Sequence, residues 1–152
     1  MTTAIHMTLR LNGETVEGNG VSHGESGFTE CLAFADGITT DQAPTGRSLG
    51  RRHPEPIVVR KRIDRTTPRL LEALSQNEQV DATFTFYRPT ADGTDEHYFT
   101  VEVSGGRIVG IERSWQADAS SEQEDVRIAP LAVTWTHVPS GTSYESRPRG
   151  VV

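Results

Sequence analysis

Apolar and polar residues alternate one by one along most of this chain, which is the pattern of β-strands with one buried face. Ile5–Leu11 follows it, and Asn12-Gly13 then ends the run as a turn. Val80–Phe86 and His97–Val103 repeat it on either side of Asp92-Gly93, which predicts a β-hairpin. Further strands are predicted at Phe28–Ala35, Ile57–Arg62, Arg107–Trp115, Val126–His137 and Thr142–Arg147.

A single segment has the pattern of a helix. Pro68 disfavours helical backbone at the residue before it, so Thr67 is predicted as the N-cap of a helix over about residues 67–76. Leu70, Leu71 and Leu74 would then lie on one stripe and pack against the sheet. The predicted fold class is mainly β: a small antiparallel β-barrel of seven or eight strands with one short α-helix on its side.

The longest segment without a strand or helix pattern runs from Asp36 to Pro56 and is rich in glycine and proline. It is predicted to be a long irregular loop, and a loop of that length in a compact domain usually has a function. At 152 residues the chain is predicted to form a single domain over residues 1–152. No stretch approaches the roughly 20 apolar residues that a membrane-spanning helix needs.

The start of the chain lacks the basic and apolar regions of a signal peptide, so export would need a route without a cleavable signal. Cys31 is the one cysteine, which excludes an internal disulfide and suits folding in a reducing cytosol. Because Cys31 lies within a predicted strand, we expect a buried structural thiol and not a nucleophile.

Two patterns could indicate an enzyme. Gly20-Val21-Ser22-His23-Gly24 fits the G-x-S-x-G pattern of a nucleophile elbow, which would make Ser22 catalytic. That chemistry needs a strand, a tight turn and then a helix, whereas here another strand is predicted to follow, so a polar turn is the preferred interpretation. The histidines, listed as His6, His23, His53, His97 and His137, lack the spacing of metal ligands. We therefore expect no catalytic residue, metal or cofactor, and no enzyme activity.

Charge is unevenly distributed along the chain. The net charge is −6, yet residues 47–69 hold eight basic and two acidic residues, which leaves about −12 on the rest. Three interpretations fit this asymmetry: head-to-tail association of copies through opposite charges, a solvated face, or binding of nucleic acid. The acidic remainder would repel a phosphate backbone, so self-association is preferred and no nucleic-acid partner is expected.

Several segments resemble the Hcp family, the tube-forming proteins of type VI secretion systems. The strongest is residues 50–74, with Gly50-Arg51-Arg52, a strand, Ile63-Asp64-Arg65-Thr66-Thr67-Pro68 and a short helix. The Phe84–Arg88 strand with its Asp92-Gly93 hairpin, and the Val126–Thr136 segment, are similar to later parts of the family pattern in the same order. Pro130, where an aromatic residue is common, and the acidic segment 118–125 depart from it.

The resemblance implies a subunit that assembles into hexameric rings, stacked as the inner tube of the secretion system. It also implies a spike protein at the tube tip, a contractile sheath around the tube, effectors in the lumen and no membrane insertion. The chain would be cytoplasmic before assembly and secreted through the system without a signal peptide. Alternatives are a tube subunit of another contractile injection system or phage tail, and a ligand-binding or hydrolytic barrel using Ser22.

We expect the loop over residues 36–56 to reach a neighbouring subunit. Basic side chains on and beside the loop would then meet acidic groups of that subunit, because arginine has a planar, multidentate set of donors suited to carboxylates. The predicted interface residues are Arg47, Arg51, Arg52, His53, Arg60 and Arg62.

Overall fold

The computed structural model describes residues 3–22, 24–42, 45–46, 48–117 and 122–148, with the backbone alone at 25, 41–42 and 48–51. Within these ranges the chain forms one helix, α1 (Thr67–Ser75), and twelve strands. In chain order the strands are β1 (Ala4–Leu11), β2 (Glu14–Val16), β3 (Gly20–Ser22), β4 (Glu25–Ala35), β5 (Ile38–Gln42), β6 (Ser48–Pro54), β7 (Ile57–Arg62), β8 (Gln79–Pro89), β9 (Asp95–Glu112), β10 (Gln123–Ala129), β11 (Ala132–His137) and β12 (Thr142–Ser146).

Six of the strands close a barrel. Hydrogen-bonded neighbours follow the order β10, β7, β4, β1, β8 and β9, and β9 pairs again with β10. The pairings around this circuit are antiparallel. Closure leaves no unpaired edge around the circuit, so backbone donors and acceptors are satisfied within it. The predicted antiparallel barrel with one short helix is confirmed.

Strand β9 extends beyond the barrel. Its residues 107–112 pair with β10, while its residues 99–104 pair with β11, which in turn pairs with β12. The main sheet path therefore holds eight strands among the described residues, and short β2 and β3 attach to β1 and β4. A continuous five-stranded wall therefore consists of β1, β8, β9, β11 and β12.

Two predicted strand boundaries are wrong around this extension. The predicted strands His97–Val103 and Arg107–Trp115 form one strand that ends at Glu112, because Gly105, with a φ of 66°, lets the backbone continue through a bend. Val126–His137 is instead divided into β10 and β11 at Pro130. Proline has no N–H to donate to a sheet ladder, so pairing with β9 is interrupted there.

The barrel core follows the period of two. On β1, Met7, Leu9 and Leu11 are almost fully buried while Thr8 and Arg10 between them are exposed. The same alternation on the other barrel strands supplies the remaining core side chains, among them Ile57, Val59, Val80, Phe84, Val101, Val103, Val126 and Ile128. This apolar burial is the main force that stabilises the fold.

Both predicted tight turns are present. Asn12 and Gly13 have positive φ values of 53° and 83°, as a two-residue hairpin turn between β1 and β2 requires. At the tip of the β8–β9 hairpin, Asp92 accepts hydrogen bonds from the Thr90 and Thr94 hydroxyls and from the Thr94 N–H. These donors stabilise the carboxylate, and they lower the pKa of Asp92 to about 2.

Helix α1 lies where it was predicted, but its N-cap is Thr66 and not Thr67. The Thr67 hydroxyl is engaged elsewhere, because it donates to Glu124 Oε2 at 2.7 Å. Leu70 is buried on the core side, with Leu74 partly buried beside it. Asn77 adopts a positive φ of 52° just after the last helical residue, which ends the helix.

The segment predicted as an irregular loop forms a β-hairpin. Strands β5 and β6 pair with each other in a separate two-stranded sheet, and we call this hairpin the arm. The prediction of irregular structure was wrong because β5 is Ile38-Thr39-Thr40-Asp41-Gln42, which has no apolar alternation. Backbone pairing between β5 and β6 forms this hairpin without that alternation.

Candidate interaction surface

The arm leaves the barrel through a narrow neck held by three hydrogen bonds. Glu55 N donates to Gly37 O at 2.8 Å, and Thr39 Oγ1 donates to Glu55 Oε1 at 2.5 Å. Asp36, the first residue after β4, accepts a hydrogen bond at 2.7 Å from the indole Nε1 of Trp135 on β11. The neck thus joins the arm's two ends to each other and to the five-stranded wall.

The predicted interface residues of the arm lie on β6. Arg52 and His53 are exposed, and neither has an ion pair among the side chains that the structure describes. Arg51 lies on the same strand, although its side chain is outside the description, and Arg47 lies outside the described residues altogether. The arm therefore presents positive charge at Arg52 that is available to a partner.

The other two predicted residues, Arg60 and Arg62, lie on the outward face of β7. Arg60 donates through Nε and Nη2 to the two carboxylate oxygens of Asp125, at 3.0 and 3.4 Å. These hydrogen bonds, followed by the charge of Asp125, raise the pKa of Arg60. Arg62 lies 3.7 Å from Glu30. Of the six predicted residues, Arg47 lies outside the described residues, and the structure separates the other five. Arg51, Arg52 and His53 lie on the arm, whereas Arg60 and Arg62 lie on β7 and each pair with a carboxylate of the same subunit.

A buried ionic cluster lies at one end of β7. Lys61 has no exposed side-chain surface, and its Nζ lies 2.5 Å from Glu124 Oε2 on β10 and 3.0 Å from Asp64 Oδ1. Lys61 also donates to the carbonyl oxygen of Arg62 at 2.9 Å, and the Thr67 hydroxyl bonds to the same Glu124 oxygen. Glu124 is equally buried, and its second oxygen lies 3.5 Å from Arg113 Nε.

This cluster connects three parts of the chain that are distant in sequence: residues 61–67 from the end of β7 to the first turn of α1, Arg113 just after β9, and Glu124 on β10. The sequence offered one signal, since Ile57, Val59 and Lys61 share the inward side of β7 by the period of two. A lysine at an inward position needs a buried carboxylate, because an unpaired buried charge is strongly unfavourable.

The outward face of the five-stranded wall is polar and rich in hydroxyl groups. One cross-strand row consists of Thr8, Thr83, Glu102, Thr134 and Glu145. A shallow depression of about 340 Å³ lies over this row and is also lined by Arg10, Asp81 and Arg147. Since the depression contains both signs of charge, it lacks the uniform positive field that a phosphate backbone requires.

The candidate nucleophiles are not placed for catalysis. Ser22 ends β3 and is followed, after Gly24, by β4, so the G-x-S-x-G pattern lies between two strands and not between a strand and a helix. His23 of the same pattern lies outside the described residues. Cys31 is buried in the barrel, as predicted, and burial raises the pKa of its thiol to about 12. At neutral pH that thiol is therefore protonated.

Across the described ranges, no three His, Cys, Asp or Glu side chains converge as the ligands of a metal ion would. The described part of the chain contains no helix with the length and apolar character needed to span a membrane.

The sequence is similar to known secretion proteins. A family profile described as "Type VI secretion system effector, Hcp" matches residues 8–137. The "Major exported protein" of Pseudomonas aeruginosa is 35% identical over 106 residues, an alignment that covers 65% of this chain. The chain spans about 62% of the length of that relative.

The fold is similar to solved structures over nearly the whole chain. The Hcp1 protein of Escherichia coli EAEC 042 superposes with a TM-score of 0.86 at 20% identity, covering 95% of this chain and 97% of the other. The secreted protein Hcp3 of Pseudomonas aeruginosa superposes with a TM-score of 0.78 at 25% identity, covering 95% and 99%. On the profile match across barrel, arm and helix, this chain belongs to the Hcp family of type VI secretion system proteins.

Proposed function

We propose that this protein is a structural subunit, and not an enzyme, that assembles into stacked hexameric rings forming the inner tube of a type VI secretion system. The observation that carries the proposal is the family match over residues 8–137, which contain the arm and the barrel apart from the first half of β1. In this proposal the tube lies inside a contractile sheath, carries a spike protein at its tip and is expelled with effectors in its lumen.

Export of the chain is part of the proposal. The relatives named as a major exported protein and as a secreted protein support it. The subunit would be cytoplasmic before assembly and would leave the cell through the secretion system. A tube subunit of another contractile system would need the same surfaces, but the matched profile favours the type VI system.

A stacked tube needs two different contacts for each subunit, one around the ring and one along the axis. Both contacts are heterologous, so each copy must present two unlike surfaces that complement each other. The arm supplies one such surface, because it projects on a neck from a closed barrel and carries the exposed Arg52. We propose that the arm's arginines meet acidic groups of a neighbouring copy, as the opposite net charges of the basic stretch and the remaining chain allow.

The test is charge reversal on the arm. In the double variant Arg51→Glu, Arg52→Glu, we expect the assembled fraction to fall several-fold in low-salt buffer, because attraction across the contact becomes repulsion. Raising the salt concentration to about 0.5 M should weaken assembly of the unmodified chain and reduce the difference between the two proteins. Light scattering across a concentration series measures the assembled fraction of each protein at low and at high salt.

The matched control is Arg65→Glu. Arg65 is exposed and belongs to the same basic stretch, but it lies in the turn before α1 and not on the arm. Assembly should be almost unchanged in this variant. If the double arm variant assembled in low salt as well as the unmodified chain, the arm would not form the proposed electrostatic contact.

A further inference from the structure

We propose that Trp135 and Asp36 are positioning residues that fix the direction in which the arm leaves the barrel. This inference rests on the proposed function, in which the arm contacts a second copy of the chain. It concerns a different feature from the arm's charges: the hydrogen bond of 2.7 Å between the Trp135 indole N–H and the Asp36 carboxylate.

The arm needs a restraint at its base. Asp36 follows the last residue of β4 directly, and after Gly37 the chain enters β5. Strands β5 and β6 form their own sheet, so within the described residues no ladder hydrogen bonds hold the arm to the barrel wall. The bond between Glu55 and Gly37 closes the neck, but it joins the arm's two ends to each other and does not set their angle to the barrel.

Trp135 is suited to provide that restraint. It lies on β11 between Val101 of β9 and Tyr144 of β12, and its ring packs against the barrel core. Its ring is nearly parallel to that of Tyr144, with 6.4 Å between the ring centroids and an angle of 12° between the planes. The indole donor therefore has a fixed position, and a hydrogen bond to a charged acceptor is stronger than a neutral one.

A fixed arm matters because a ring closes only if each contact repeats at the same angle. An arm that rotated about its neck would have to lose that freedom on docking, and this entropy loss opposes association. The hydrogen bond reduces this loss, because the arm is already ordered in the free subunit. The residues are 99 positions apart in sequence, so no local pattern indicates the contact.

The first test measures the neck in dilute protein, before any assembly. Trp135→Phe keeps an aromatic ring but removes the N–H donor, and Asp36→Ala removes the acceptor. In both variants we expect trypsin to cut the arm after Arg51 and Arg52 about tenfold faster, because loss of the restraint favours local opening. Mass spectrometry identifies the fragments. Asp36→Asn, which keeps a carbonyl acceptor, should be cut at nearly the rate of the unmodified chain.

The second test measures assembly. The concentration at which half the chains are assembled should rise about tenfold in Trp135→Phe and Asp36→Ala, while the thermal midpoint of the barrel stays close to that of the unmodified chain. The control is Trp115→Phe, since Trp115 is 63% exposed, follows the end of β9 and makes none of the neck hydrogen bonds. Trp115→Phe should change neither the concentration at which half the chains are assembled nor the thermal midpoint.

The outcomes separate this inference from the proposed function. If Trp135→Phe and Asp36→Ala were cut by trypsin at the unmodified rate, the hydrogen bond would not restrain the arm and the inference would be wrong. Faster cutting with unchanged assembly would also overturn it, because the restraint would then have no role in positioning. If the unmodified chain did not assemble at all, the proposed function would fail, while the protease result would still decide whether the restraint exists.

Discussion

At the scale of single residues, the fully buried Lys61 is the group with the largest energetic consequence. Its ammonium lies among Glu124, Asp64 and Thr67, so its charge is compensated by two carboxylates and a hydroxyl. A buried ion pair contributes little net stability compared with well-packed apolar residues, but removal of one partner leaves an uncompensated charge. Stability should therefore be sensitive to replacement of one member of the ion pair and tolerant of replacement of both members together.

We predict that Lys61→Met lowers the free energy of unfolding by about 3–5 kcal/mol, because the buried Glu124 then loses its closest cation and keeps only the longer contact of 3.5 Å with Arg113. The double variant Lys61→Met, Glu124→Leu should recover most of that loss. Arg62→Met is the control: Arg62 is the next residue along β7, and its partner Glu30 is exposed, so the loss should be below about 1 kcal/mol. Urea denaturation of dilute protein measures all three, and equal losses in the two single variants would contradict this account.

The sequence predicted the strand Ile57–Arg62 but not the partners of Lys61. A period of two determines which face a residue occupies, and Ile57 and Val59 showed that face to be apolar. It does not determine which distant strand lies opposite. Glu124 is 63 positions away in sequence, in the acidic segment 118–125 that departs from the family pattern. The same limit applies to Asp36 and Trp135.

At the scale of elements, β3 pairs with the first part of β4 and packs closely against Phe28. The ring of Phe28, almost fully buried, stacks on the ring of His6 with 3.7 Å between their centroids. Gly20 of β3 lies directly over Phe28, and a Cβ atom placed there would come within 2.2 Å of the phenyl ring. Glycine is thus required at position 20 by close packing.

We predict that Gly20→Ala destabilises the fold by about 1–3 kcal/mol, the usual cost of forcing extra volume into a packed site. The Phe28 ring has little room to move because His6 lies on it. Gly37→Ala is the matched control, since its nearest neighbour would be Glu55 Cγ at 3.8 Å, an ordinary contact. The control should change stability by less than about 1 kcal/mol. Thermal unfolding followed by circular dichroism would decide, and a neutral Gly20→Ala would refute this packing argument.

Elements with a buried face were predictable from the sequence, and the arm was not. The barrel strands alternate because one side of each faces the core, and α1 shows a leucine stripe for the same reason. The arm's Thr39 and Thr40 carry no such signal. Its structure depends on pairing between β5 and β6 and on the neck contacts, which local sequence does not encode.

At the scale of the whole molecule, the subunit combines a rigid closed barrel with a projecting arm and an uneven distribution of charge. Part of the basic stretch is neutralised within the subunit, since Arg60, Lys61 and Arg69 each pair with a carboxylate. Arg52 on the arm remains exposed. Positive charge thus remains exposed on a hairpin that is separate from the barrel's own sheet, which is the arrangement that the proposed contact between copies requires.

The most direct measurement is the mass of the purified protein in solution, by size-exclusion chromatography with light scattering, followed by electron microscopy of the same fraction. The account predicts a species of about six subunits that appears as rings with a central opening, together with short stacks at high protein concentration. A strictly monomeric species at every concentration, with no rings in the micrographs, would contradict the proposal that this chain builds a tube.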